Sequence, residues 1–513
     1  MRSRGNSVRV VVVGSGHTGL VCAARLASRG VEVCVVEQAQ RPGGALGSQG
    51  RTLPGFVHDH CAGVLPLAAA SPAFRDLPLA RHGLEWITPD AAMAHPFADG
   101  SAIVLHRDLD ATAASLEAAA RGAGSAWHSL ASPLLARREQ LLQTALSPLP
   151  PGVAALRLAL ALRRDAVELA RRALASAATF GLEVLGDVRA AAWFSGSAVH
   201  SDLTPGSSGG AAFALFLNLL GHIVGWPYPR GGAGRLTDAL VLHVRSLGGE
   251  VRCGAAVRSI EVRRGRVCGV RLASGEGLHA DAVVTTMSAR PLAALLPEGA
   301  LPGRGIDRLR SWRYGVGTCK VDFALDAPVP WASADARRAG VVHLGDTLDA
   351  LFRSQQEAGL GRVPQQPAMV VAQHSLHDTS RAPAGKHTLY VYTHVPARPE
   401  LPDDAIADRM EQRIERFAPG FRDLVLARDV RSPERLEREN PSLVGGDLAG
   451  GSMELDQQGP FRPAPELARY RTPLRGLYVA GASTHPGPGV HGVSGKGAAE
   501  ALIADLSPLR FWR

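Results

Sequence analysis

Apolar positions in this chain follow two rhythms, one of short unbroken runs and one with a spacing of three to four. Residues 10–13 are four consecutive valines, and Val33, Cys34, Val35 and Val36 form a second run. Such runs suit strands buried on both faces of a parallel sheet. Between them Leu20, Ala23, Ala24, Leu26 and Ala27 recur at helical spacing, and Gly30 ends the pattern. A strand, a helix and a strand are therefore predicted over about 8–45. From 231 the pattern resumes with a helix carrying Leu236, Leu240, Val244 and Leu247, then strands at 250–253, 256–262, 267–272 and 280–285. A last buried strand at 476–480 leads through a Gly/Pro loop into a helix reaching Leu502. One discontinuous domain of 1–60, 231–290 and 471–513 accounts for these, with residues 1–7 as a disordered start. Two insertions, 61–230 and 291–470, build a second domain. The first reads as helical, over 154–185 with Leu156, Leu160, Val167, Leu174 and Phe180, and over 211–224. The second offers strands at 317–325, 369–374 and 388–394, then a helix with Ile406, Met410, Ile414 and Phe417 on one face. The fold class is α/β: a Rossmann-like nucleotide domain with an interleaved α+β domain of sheet and helices.

The turn after the first strand carries the chemistry. Gly14, Ser15, Gly16, His17, Thr18 and Gly19 set Gly14 at the bend, Gly16 where backbone approaches a diphosphate, and Gly19 where helix packs on strand. The helix begins there, so its unpaired amides face the diphosphate. Glu37, followed by Gln38, closes the second strand, where a carboxylate accepts from both ribose hydroxyls of an adenosine and disfavours a 2′-phosphate. At the other end, Gly481, Gly489, Val490, His491, Gly492 and Val493 lie where strand gives way to helix, beside the first turn in such a sheet. Amides near 490–493 are placed to face the pyrimidine side of a flavin. FAD is the cofactor these spacings indicate.

Composition narrows the rest. With 513 residues, 46% hydrophobic and 20% charged, the chain reads as a globular protein large enough for two domains. It has no apolar run long enough to span a membrane and no signal-type N-terminus, so cytoplasmic localisation is expected. Cysteines at 22, 34, 61, 253, 268 and 319 show neither metal-ligand nor disulfide spacing, so no metal is expected. The net charge of +9 comes almost wholly from dispersed arginines, with lysine only at 320, 386 and 496. A GC-rich bacterial genome explains that bias, and no nucleic-acid module accompanies it. The excess suits attraction to anionic substrates or lipid headgroups, so peripheral membrane contact is also expected.

The motifs resemble the FAD-dependent phytoene-desaturase-like oxidoreductases, in the branch of pyridine nucleotide-disulphide oxidoreductase domain-containing protein 2 and its bacterial relatives. Blocks that carry the resemblance span almost the whole chain: the N-terminal fingerprint, 54–59 with 69–72, 82–86, 225–232, 440–447 and 482–492. Arg41, Gly43, Gly44 and Ala45, just past Glu37, match an addition found in glutathione-reductase-like and amine-oxidase-like FAD families. The resemblance also implies that backbone at Val257 reaches the adenine. Disulfide redox chemistry does not carry over, because Cys22, Cys34 and Cys61 lack the CxxC or CxxxxC spacing.

An FAD enzyme of this kind removes hydride to the flavin and a proton from the neighbouring atom of an apolar or secondary-metabolite small molecule, leaving a double bond. Electrons then pass to oxygen, a quinone or a protein partner. His491 is the first candidate for a polar or acid/base group beside the ring, and His485 the second, with a loop-fixing role as the alternative. The family pattern more often has Pro where His491 stands. Two other classes stay open: a flavin amine oxidase, for which only Lys320 or Lys496 could serve as the flavin-side lysine, and a non-redox isomerase or a flavoprotein acting as an interaction partner. The apolar stretch 213–220 reads as a core helix, with a substrate-tunnel wall or membrane contact as alternatives.

Overall fold

The computed structural model describes residues 8–149, 152–163 and 165–506; the expected disordered start at 1–7 lies outside them. A five-stranded parallel sheet runs in the order Leu477–Val479, Ala282–Thr285, Arg9–Val13, Glu32–Val36, Glu250–Arg252. Arg9–Val13 is central, so its valines are covered on both faces, which explains an unbroken apolar run where a half-exposed strand would alternate. Val10 and Val12 pack beneath the helices, among them His17–Ala27 and Val493–Leu506. Val11 and Val13 face a second core shared with the antiparallel ribbon Val257–Arg263, Arg266–Leu272, Gly277–His279.

The second sheet has seven strands: Val425–Arg431, Gly317–Leu325, His387–Val395, Met369–Ala372, Val341–Leu344, Ala91–Pro96, Ala102–His106. All neighbours are antiparallel except Val341–Leu344 with Ala91–Pro96. Its outer face, with Val321, Phe323, Leu389 and Val391, packs under helix Asp403–Phe417 through Ile406, Met410 and Ile414. Tyr390 and Tyr392, alternating with those core residues, point to the opposite face.

The expected helix over 154–185 is three helices, Gly152–Leu162, Asp165–Leu174 and Ala177–Leu185, and the first two leave Leu156, Leu160, Val167 and Leu174 exposed. Helix Gly210–Ile223 has most of its apolar side chains in the core, as expected for 213–220. Four strands of the seven-stranded sheet escape the sequence pattern. Ala91–Pro96 is alanine-rich and contains a proline, and Val425–Arg431 is a charged edge strand.

Candidate FAD site

A cavity of about 1120 Å³ runs from the carboxyl ends of the parallel strands to the loop before the last helix. Gly14, Gly16, His17 and Thr18 line it at the first turn, Glu37 and Gln38 at the second strand, and Arg41, Gly43, Gly44 and Ala45 beyond. Val257 closes one end, and Gly481, Gly489, Val490 and His491 the other. Ser15, Gly19, Gly492, Val493 and His485 are not on its wall.

Gly16 caps helix His17–Ala27 with no side-chain hydrogen bond, and the first turn holds no acidic residue. Its free amides and positive dipole end therefore meet the cavity uncompensated, the arrangement an anionic diphosphate requires. A Cβ on Gly16 would find its nearest neighbour, the Gly43 carbonyl, 4.0 Å away, and one on Gly44 would find nothing nearer than 3.8 Å. A Cβ at either position would meet protein only at van der Waals distance, and both glycines line the cavity. Gly19 differs: a Cβ there would lie 2.0 Å from the Gly14 carbonyl, so it permits helix and strand to touch. Ser15 donates from N and Oγ to Glu37 Oε2, both at 2.9 Å, while Ala39 N donates to Oε1 at 3.0 Å. The Glu37 carboxylate is held still at the strand end. An open cradle, a waiting helix end and a fixed carboxylate fit FAD.

The imidazoles at the far end are neutral. Burial lowers the His491 pKa to about 4, against the opposing effect of its hydrogen bond to the Gly487 carbonyl. Burial, then repulsion from His491, lowers His17 to about 3. Val493 N donates to His491 Nδ1 at 3.1 Å, which fixes the proton on Nε2, and that nitrogen donates to the Gly487 carbonyl at 3.0 Å. Both nitrogens bond backbone, an arrangement that suits a loop-folding role for His491. The same bond takes the Val493 amide. His485 Nε2 bonds the Ser147 carbonyl at 3.0 Å and its ring is off the cavity wall, which suits the loop-fixing alternative.

Neither lysine lines the cavity. Lys496 pairs with Glu500 along its own helix at 3.7 Å. Lys320, fully buried, bonds Asp322 and lies 4.2 Å over the Tyr390 ring, and the Tyr390 hydroxyl donates to the Cys61 carbonyl. Cys61 forms the wall, so Lys320 stands one layer behind it. Burial and Arg431 lower the Lys320 pKa to about 7.

Sequence reasoning missed a polar group on the same wall. Arg51 donates to His60 Nδ1 at 2.8 Å and to both oxygens of Glu439 at 3.5 and 3.3 Å. Arginine only donates, so His60 carries its proton on Nε2, 3.5 Å from Glu439. Glu439 lies 388 positions from Arg51, and no local pattern announces the pair. Beside them Asp59, fully buried, accepts from Arg381, from Ser48 Oγ at 2.6 Å and from Ala233 N at 2.8 Å, joining three separated segments.

Fold and cavity together define an FAD-dependent oxidoreductase. The chain belongs to the flavin-containing amine oxidoreductase family, matched over residues 17–503. It is 29% identical over 550 residues to pyridine nucleotide-disulfide oxidoreductase domain-containing protein 2 of Rattus norvegicus, covering 97% of this chain and 93% of that protein. It is also 29% identical over 506 residues to the zeta-carotene-forming phytoene desaturase of Myxococcus xanthus, covering 94% and 91%. A solved variant of putrescine oxidase shares the fold, with a TM-score of 0.63 at 15% identity over 97% of this chain and 99% of that one.

Proposed function

We propose that this oxidoreductase desaturates a neutral, apolar small molecule. FAD would lie with its diphosphate between Gly16 and Gly44, its adenosine ribose on Glu37, its adenine against backbone at Val257, and its flavin toward Gly481, Val490 and His491. When bound, FAD supplies the hydride acceptor. The seven-stranded sheet and its helices form the substrate half. The observation that carries the reading is an apolar flavin end whose charges are paired within the protein. Its two histidines are neutral, Arg51 and Glu439 are paired with each other, Lys320 is held behind Cys61, and Leu443, Leu448 and Val490 contribute apolar wall. A cationic amine would lose its hydration there without gaining a partner, whereas a hydrocarbon loses nothing. The desaturase among the relatives supports the same class. Oxygen, a quinone or a protein partner takes the electrons, and an apolar substrate favours peripheral contact with a membrane.

Incubation of the FAD-loaded protein with polyene or terpenoid substrates in detergent, followed by mass analysis, tests this. A product lacking two hydrogens, formed as the flavin bleaches, is expected. A product of unchanged mass would make the protein an isomerase, and bleaching by amines alone would make it an amine oxidase.

A further inference from the structure

Helix Gly152–Leu162 has one polar side chain, Arg157, in eleven residues. It buries only Leu158 and Leu162, and leaves Val153 62%, Leu156 59% and Leu160 67% exposed. The next helix, Asp165–Leu174, buries no side chain, with Val167 77% and Leu174 60% exposed. A helix in water turns its apolar stripe inward, and a cluster of bare aliphatic side chains on adjacent helices marks a contact surface. The charges around it have one dominant sign. Residues 152–174 contain five arginines, at 157, 163, 164, 171 and 172, against Asp165 and Glu168; Arg171 and Arg172 are paired with Glu168, and Arg171 also with Glu183, so the excess lies at 157, 163 and 164.

We propose that these two helices are the surface by which the protein rests on an anionic lipid bilayer. Charge selects this occupant over a second copy of the chain. A two-fold contact would set the arginine-rich segment against itself, whereas anionic headgroups pair with arginines while the leucines and valines enter the acyl boundary. The contact is peripheral, because no helix among the described residues is long and apolar enough to cross a membrane. It also adjoins the site. Ser147, five residues before the first helix, accepts from His485, which belongs to the loop that reaches Gly489 and His491 on the cavity wall. The route from lipid to flavin rests on the proposed apolar substrate; the surface itself does not.

Flotation of the FAD-loaded protein with phosphatidylglycerol/phosphatidylcholine vesicles, and with phosphatidylcholine alone, tests the surface. The protein is expected to float with the anionic vesicles and to be released by salt. The double substitution L156Q/L160Q, at exposed positions, is expected to weaken vesicle binding about tenfold or more with flavin content and thermal midpoint unchanged. R157E is expected to weaken it in the same direction. Absence of flotation, equal flotation of L156Q/L160Q, equal flotation on phosphatidylcholine alone, or a dimer that L156Q/L160Q dissociates would each overturn the proposal. Bleaching by substrate in detergent is read separately, so failure of the surface and failure of the desaturase reading are distinguishable.

Discussion

The two glycine-rich segments that frame the cavity look alike in composition and differ in what the missing side chains make room for. At Gly16 and Gly44, both on the cavity wall, a Cβ would meet no protein closer than 3.8 Å, so the protein itself does not require glycine there by crowding. At Gly481, Gly489 and Gly492 a Cβ would lie 2.7 Å from the Thr286 carbonyl, 2.4 Å from Leu67 and 3.0 Å from Val21. Those glycines let the loop fold against its own protein. The polar groups divide the same way: the first helix keeps its leading amides for the cavity, whereas the last helix gives the Val493 amide to His491. One segment is a cradle and the other a folded wall.

Four substitutions or conditions separate the two roles. Gly16→Val places a branched side chain where the diphosphate must lie, and is expected to weaken FAD binding by about 100-fold or more while the apoprotein melts within a few degrees of wild type. The flavin absorbance ratio and calorimetry of the apoprotein check this, and a full yellow complement would refute the cradle. Gly489→Val should instead destabilise the apoprotein itself, by about 2–4 kcal/mol, through strain at φ 116° and the clash with Leu67. Denaturant unfolding without FAD measures it.

Acid acts next. The folded-state pKa values of His17 and His491 are lowered from 6.5 to about 3 and about 4, and those of His200 and His394 to about 3 and about 4. The unfolded chain therefore binds more protons below pH 6.5. This stability is present above that pH and lost as pH falls from 6.5 toward 4, by up to about 1.4 kcal/mol per group per pH unit. A thermal midpoint that stays flat from about pH 7 to 5 would contradict the neutral assignment. The smallest effect is expected from His491→Ala. It removes two backbone bonds and costs about 1–3 kcal/mol, but leaves the rate of flavin reduction within about threefold and its pH profile unshifted. Stopped-flow reduction at several pH values decides it.

The first strand, turn and second strand were legible because the signal is local: four valines, three spaced glycines and a carboxylate lie within thirty residues of one another. The strands Gly317–Leu325 and His387–Val395 were legible through their branched and aromatic residues. Ala91–Pro96 was not, because alanine, histidine and proline take strand form there only through pairing with distant segments. The site was legible where backbone makes it and illegible where side chains meet across the fold, as Arg51, His60 and Glu439 do. His491 shows a further limit. Its position in the loop was evident, but whether its nitrogens face ligand or backbone depends on how the loop closes around residues 487–493.

Anaerobic flavin reduction, followed in a stopped-flow instrument with a polyene and with a diamine from about pH 6.5 to 9, tests the central claim most directly. Bleaching by the polyene at a rate nearly independent of pH is expected, since burial holds His17, His60 and His491 on the cavity wall at pKa values of about 3, about 3 and about 4, below that range. Bleaching by the diamine alone, with a limb near the lowered pKa of Lys320 at about 7, would contradict it and bring that lysine into the reaction.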